Sequence, residues 1–271
     1  MKNFLFINLG LLFNILFFIG CGTVPKLHQT SSNYNEIIKE NNDVLVIIDT
    51  CLYIDEVGDA SDNFNVHNSV FINDLISTEI KSKFSDNTLN IKEIITPTMC
   101  GFYPKDILNI KLKVDKDSPI VYSHLPYNLD KNIDIEYKEK LLRLMKSLYI
   151  NVSNPRLVEF SLDSNLKDDL EHIKDKAKVN KILIIANQGN YISAGKRISQ
   201  GLGTFVMTLG VATAWNNSLF NSYVSLIDID KEEIIWKSAV AFRNNSFLED
   251  NFIKEHYKKT ILDEIVQKDK K

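Results

Sequence analysis

Lys181–Ala186 reads KILIIA, and Ser222–Phe242 reads SYVSLIDIDKEEIIWKSAVAF. The first is a short apolar, β-branched run with no charge after Lys181, the pattern of a strand buried on both faces. The second divides into two strands, Ser222–Ile229 and Ile234–Phe242, around the polar turn Asp230-Lys231-Glu232-Glu233. A doubly buried strand beside a hairpin requires helices to cover the sheet, and the flanking segments supply them. Residues 164–177 place Leu166, Leu170, Ile173 and Ala177 on one helical face, with Ser164 as cap. After the hairpin, Ser246-Phe247-Leu248-Glu249 has the form of a capping box. Phe252, Ile253, Ile261, Leu262 and Ile265 then form an apolar helical face.

The same grammar holds toward the amino terminus. Val44–Ile48 (VLVII) reads as a buried strand that continues to Ile54. Residues 68–84 carry Ile72, Leu75, Ile76, Ile80 and Phe84 on one helical face, with Asn68 as cap. Ile91–Thr96 is the next strand, which makes an early β-α-β unit and a parallel pair. Residues 97–131 are irregular and hold four prolines. Within them, Leu108, Ile110, Leu112 and Val114 alternate as in a half-buried strand, and Ile120–Tyr122 could return beside it. Asp134 caps a helix with Leu141, Leu142, Met145, Leu148 and Tyr149 on one face. The expected fold class is α/β: a mixed sheet with helices packed on it, as one domain over 43–268.

Composition is that of a globular protein, with 44% hydrophobic and 25% charged residues. The net charge is −3, and the basic residues form no stripe, which argues against nucleic acid as the partner.

Residues 1–20 (MKNFLFINLGLLFNILFFIG) have one early positive charge and then an apolar run too short for a confident membrane span. The run ends Phe18-Ile19-Gly20-Cys21, a small residue before a cysteine. This is similar to the processing site of bacterial lipoproteins, although Phe18 stands where Leu is usual. The resemblance implies cleavage before Cys21 and a thioether from its thiol to diacylglycerol, with palmitate among the acyl chains. Residues 21–42 then read as the lipidated cysteine and a polar tether. Gly22 rather than Asp after the cysteine resembles outer-membrane lipoproteins, which implies the outer membrane, facing the periplasm. In such an oxidising setting Cys51 and Cys100 are the two thiols that remain, either bridged to each other or kept as buried free thiols.

The order of pieces over 165–268, with weaker support from 43–96, resembles the α/β core of small periplasmic lipoproteins. These are the curli-export lipoprotein, the lipoprotein activators of penicillin-binding proteins and uncharacterised envelope lipoproteins. The resemblance rests on Val224-Ser225-Leu226-Ile227-Asp228 and Ile234-Ile235-Trp236; the turn between them lacks the usual Thr-Gly. It implies a binding or assembly role with an export complex or wall-synthesis machinery, with no reaction and no cofactor, and with an envelope protein or a further copy as partner.

The other reading is a cell-wall-acting serine hydrolase or acyl-transferase. Ser193-Ala194-Gly195-Lys196 fits S-x-x-K and Ser85-Asp86-Asn87 fits S-D-N. Their order is reversed from that family, the nearest approach to K-T-G is Lys259-Thr260-Ile261, and Ser164–Lys167 repeats the first pattern. Ser193 and Lys196 are therefore expected to begin a helix. His28, His67, His124, His172 and His256 show no ligand spacing, and His172 is expected to be solvated, so no metal site is expected. Asp55–Asp62 is an acidic loop without the ligand order of an EF-hand. Gly201, Gly203 and Gly210 miss the dinucleotide fingerprint. Residues 190–215 are the expected contact segment, with Leu202, Phe205, Val206 and Leu209 at its centre; the competing reading is a core helix packed on the sheet beside KILIIA.

Overall fold

The computed structural model describes residues 26–39, 42–55, 63–84, 89–96, 134–152, 162, 164–193, 198, 218–243, 247–249 and 251–265. Seven strands form one mixed sheet: β1 (Lys26–Thr30), β2 (Asp43–Asp55), β3 (Asn63–Phe64), β4 (Asn90–Ile95), β5 (Lys181–Ile192), β6 (Leu219–Asp228) and β7 (Glu233–Arg243). Across the sheet they run β1-β7-β6-β5-β2, and β4 and β3 share the far edge of β2. β4, β2 and β5 are parallel, while β6, β7, β1 and β3 each pair antiparallel to their neighbours. The chain is α/β, as its periodicity indicates, and helices cover both faces of the sheet.

Alternation along the strands sends each residue to one of two cores. Val44, Val46, Ile48 and Leu52 face the first, with Leu183, Ile185, Val224 and Trp236. There they meet α1 (Tyr34–Ile37), α2 (Val66–Lys83) and the carboxyl-terminal helix α5 (Phe252–Ile265). Leu45, Ile47, Ile182 and Ile184 face the second, with Ile227 and Ile234. They are covered by α3 (Ile135–Val152) and α4 (Lys167–Ala177).

Local signals set most helix ends. Asp134 Oδ1 accepts the Glu136 N–H at 3.0 Å, so Asp134 does cap α3. α2 begins earlier than its sequence suggests. Its cap is Asn65, whose Oδ1 accepts the Asn68 N–H at 2.8 Å; Asn68 is the residue being capped. Ser69 Oγ then accepts the Leu52 N–H at 3.0 Å and donates to the Asn65 carbonyl at 2.7 Å, which ties α2 to β2. Ser164 opens a 3₁₀ turn, Ser164–Leu166, instead of capping α4 directly. α4 ends at Lys178 in the left-handed region, φ 56°. The last helix starts at about Asn251, later than a box at 246–249 would place it, and Phe252–Leu262 is π-helical. Its buried residues Phe252, Ile253, Tyr257, Ile261 and Leu262 recur at spacings of four and five, wider than the three and four of an α-helix, in line with its i→i+5 hydrogen bonds.

The polar stretch read as a tether is partly structural. Residues 26–30 pair with β7 from Lys26↔Val240 to Thr30↔Trp236. Backbone pairing needs no apolar pattern, so the sequence concealed the strand. Tyr34 and Ile37 are buried, and the Tyr34 hydroxyl donates to the Ile265 carbonyl.

β5 also runs beyond its apolar core, through Asn187-Gln188-Gly189-Asn190 to Ile192. Residues 190–192 therefore belong to the sheet and not to the expected contact segment. Gly189 is required by close approach. A Cβ there would stand 2.5 Å from Leu52 Cδ2 and 3.1 Å from Phe220 Cδ2. Gly189→Val is expected to destabilise the fold by about 1–3 kcal/mol through overpacking. Urea unfolding measures this, and an unchanged midpoint would refute the close packing of Leu52 on the strand.

Candidate functional site

The two crossovers that set the strands on either side of β2 run over opposite faces of the sheet. α2 leads from β2 to β4 over the first face, and α3 and α4 lead from β4 to β5 over the second. In open α/β sheets, ligand sites gather at the carboxyl ends of parallel strands near such a divergence. Here that end is Asp49–Asp55 beside Ala186–Ile192.

On the first face it carries a buried polar set. Asn187 Nδ2 donates to Thr50 Oγ1 at 2.9 Å, and the Tyr257 hydroxyl donates to Asn187 Oδ1 at 3.3 Å. Ser222 Oγ lies 2.9 Å from the same hydroxyl. Burial pushes the Tyr257 phenol well above its usual range, against the opposing pull of its bonds to Ser222 and Asn187. Neutral side chains satisfy one another here, and the set locks α5 to β2, β5 and β6.

On the second face, the apolar rows under α3 and α4 give way to polar ones. Asp49 aligns with Ala186 and Tyr223, and Cys51 with Gln188 and Asn221. Asp49 is fully buried. Burial raises the Tyr223 phenol and lowers the Lys237 ammonium, which sits one row away opposite Ser225. Cys51 is disulfide-bonded, and its partner cysteine lies outside the described residues.

The other expected residues fall as follows. Cys21, Cys100, Leu202, Phe205, Val206 and Leu209 lie outside the described residues, as do Lys196, Ser85–Asn87, His124 and the three glycines at 201, 203 and 210. Asp55 ends β2, and residues 56–62 of the acidic loop are outside as well. Ser193 follows the last residue of β5 directly, Ile198 is helical, and residues 194–197, where the expected helix would open, lie outside the described residues. His28 stacks on Trp236 with ring centroids 5.9 Å apart, and His67 is exposed on α2. His256 lies against Phe252. His172 is not solvated as expected. Its side chain is half-buried against Tyr137, with Nδ1 3.7 Å from Glu136 Oε1. Among the described residues no His, Cys, Asp or Glu cluster could hold a metal ion. No helix among them is long and apolar enough to cross a membrane.

A separate charge set joins α3 to α4. Arg143 donates to both oxygens of the buried Asp169 carboxylate, from Nε at 2.8 Å and Nη2 at 2.6 Å, and Lys140 Nζ lies 3.6 Å away. The Arg143 hydrogen bonds hold the Asp169 carboxyl below its usual range, against the desolvation that would raise it. A depressed folded-state pKa adds stability above the unfolded carboxylate value and loses it as pH falls through the folded one. Asp169→Asn should therefore destabilise the chain at neutral pH. The gap from the native chain should shrink below about pH 4. Thermal unfolding across pH reads this, and a gap constant with pH would refute the assignment.

No family model matches the chain, and no protein of curated function matches it in sequence. A solved structure with a similar trace is that of a PelC dodecamer, a point variant, from Paraburkholderia phytofirmans. The alignment has 5% identity, covers 82% of this chain and 83% of that chain, and has a TM-score of 0.28. A likeness of that size says nothing about what this chain does.

Proposed function

We propose that the chain is a lipid-anchored cell-envelope protein that binds or assembles with another envelope component and turns over no substrate. The observation that carries this reading is the disulfide at Cys51. Stable disulfides belong to exported proteins in oxidising compartments. Export is what the charged start, the apolar run and Gly20-Cys21 call for. With Cys21 acylated, Cys100 is the thiol left for Cys51. The buried polar groups on the first face are spent on one another, which suits a scaffold.

Metabolic labelling with a fatty acid tests the anchor. The native chain is expected to take up label and Cys21→Ala to take up none. Label persisting on Cys21→Ala would sink the reading. Mass spectrometry of unreduced peptides tests the bridge; the expected species joins the peptides holding Cys51 and Cys100.

A further inference from the structure

We infer that the outer edge of β4 is a self-association surface, on which a second copy of this chain adds its own β4 antiparallel and extends the sheet across a two-fold axis. The inference rests on the assembly role proposed above and names its partner.

The inner edge of β4 is paired to β2 from Asp43↔Asn90 to Ile47↔Ile95. Among the described residues nothing pairs with its outer edge. A cleft of about 410 Å³ is lined by the five consecutive residues 90–94, with Lys81, Phe84 and Leu89 as its far wall. Successive strand residues point to opposite faces, so a cleft that touches all five must run along the strand's edge. The backbone N–H and C=O groups along that edge, unpaired among the described residues, are what an incoming strand would pair with.

The edge sequence Asn90-Ile91-Lys92-Glu93-Ile94-Ile95 is complementary to itself when reversed. An antiparallel pair centred between residues 92 and 93 sets Lys92 against the second copy's Glu93, and Ile91 against its Ile94, on both sides of the axis. The faces agree. Ile91 and Ile94 both pack toward the first core. Glu93 aligns with Leu45 of the second face. Lys92 is the extra residue of a bulge between Ile91 and Glu93, and its Nζ lies 3.3 Å from Asp43 Oδ1. Asp43 shares strand parity with Leu45, so Lys92 leans to the face of Glu93. Lys92 and Glu93 are both exposed, so neither charge is committed to the core. The isoleucines of the second copy would enter the cleft beside Phe84 and Leu89. Such an interface is isologous and closes at two copies.

Sedimentation equilibrium of the full chain in density-matched detergent tests this. The native chain is expected to sediment as a dimer, whether or not Cys21 carries lipid, so this test and the acylation test fail independently. Lys92→Glu and Glu93→Lys each put like charges opposite at both pairs and should weaken association about tenfold or more. The chain carrying both substitutions should recover the native dimer, and an equimolar mixture of the two single variants should form a mixed dimer. Circular dichroism checks that each variant keeps the native fold. A native chain that stays monomeric, single variants that associate as the native chain does, or a mixture that remains monomeric would overturn the inference.

Discussion

Phe220→Ala is expected to cost about 3–5 kcal/mol, the range for removing a fully buried aromatic side chain. Phe220 is fully buried on β6. Its ring centroid lies 5.3 Å from Phe247, 5.7 Å from Phe252 and 6.3 Å from both Phe242 and Tyr257. Those rings come from β7, from the turn after it and from α5, so one side chain joins the hairpin to the carboxyl-terminal helix. It also lies beside Gly189, the position on β5 where no side chain fits. The cavity opens at the point where three elements converge, and the neighbours cannot all close on it. Urea unfolding by tryptophan fluorescence reads the loss, since Trp236 is buried in the same core. A loss below about 1 kcal/mol would mean that α5 is held elsewhere.

Asp228→Ala is expected to cost about 3–5 kcal/mol for a different reason: it takes away a buried carboxylate that stands beside a buried ammonium. Lys181 and Asp228 open β5 and close β6 as direct cross-strand partners. Their charged atoms are 3.7 Å apart, and their side chains are 1% and 3% exposed. Asp228 Oδ1 also accepts the Lys231 N–H at 3.0 Å and so shapes the turn before β7. The double variant Lys181→Met with Asp228→Leu removes both charges together and should regain most of the loss. Chemical unfolding of the three variants decides the matter. A double variant as unstable as Asp228→Ala would place the cost in the turn and not in the lost ion pair.

The fold was legible where burial dictates composition. VLVII and KILIIA must be apolar because helices cover both of their faces. α2 and α4 announce their buried faces by period. What escaped notice is held by groups distant in sequence. Asn187 looks like the end of a strand, yet β5 continues because Thr50 and Tyr257 satisfy its amide inside the core. β1 has no apolar alternation because only its backbone is needed by β7. The π-helical course of α5 brings Tyr257 onto the buried face with Phe252, Ile253, Ile261 and Leu262, a spacing of four and five that the period of an α-helix does not pick out. Cys51 is disulfide-bonded, and Cys100, the partner that the thiol count names, lies outside the described residues. The edge of β4 could not be read at all, because a strand's own sequence does not say which neighbour it lacks.

The early start of β1 bears on how far the protein can reach. A lipid at Cys21 would leave five residue steps to Lys26, the first residue of the sheet. Fully extended, five residues span at most about 18 Å. The domain would therefore ride as a float moored close to the bilayer, with its β1 margin turned toward the anchor. The β4 margin lies at the opposite end of the strand order. Joined at that margin, two copies would carry their anchors at the far ends of one continuous sheet, so both reach the same leaflet when the sheet lies along the bilayer.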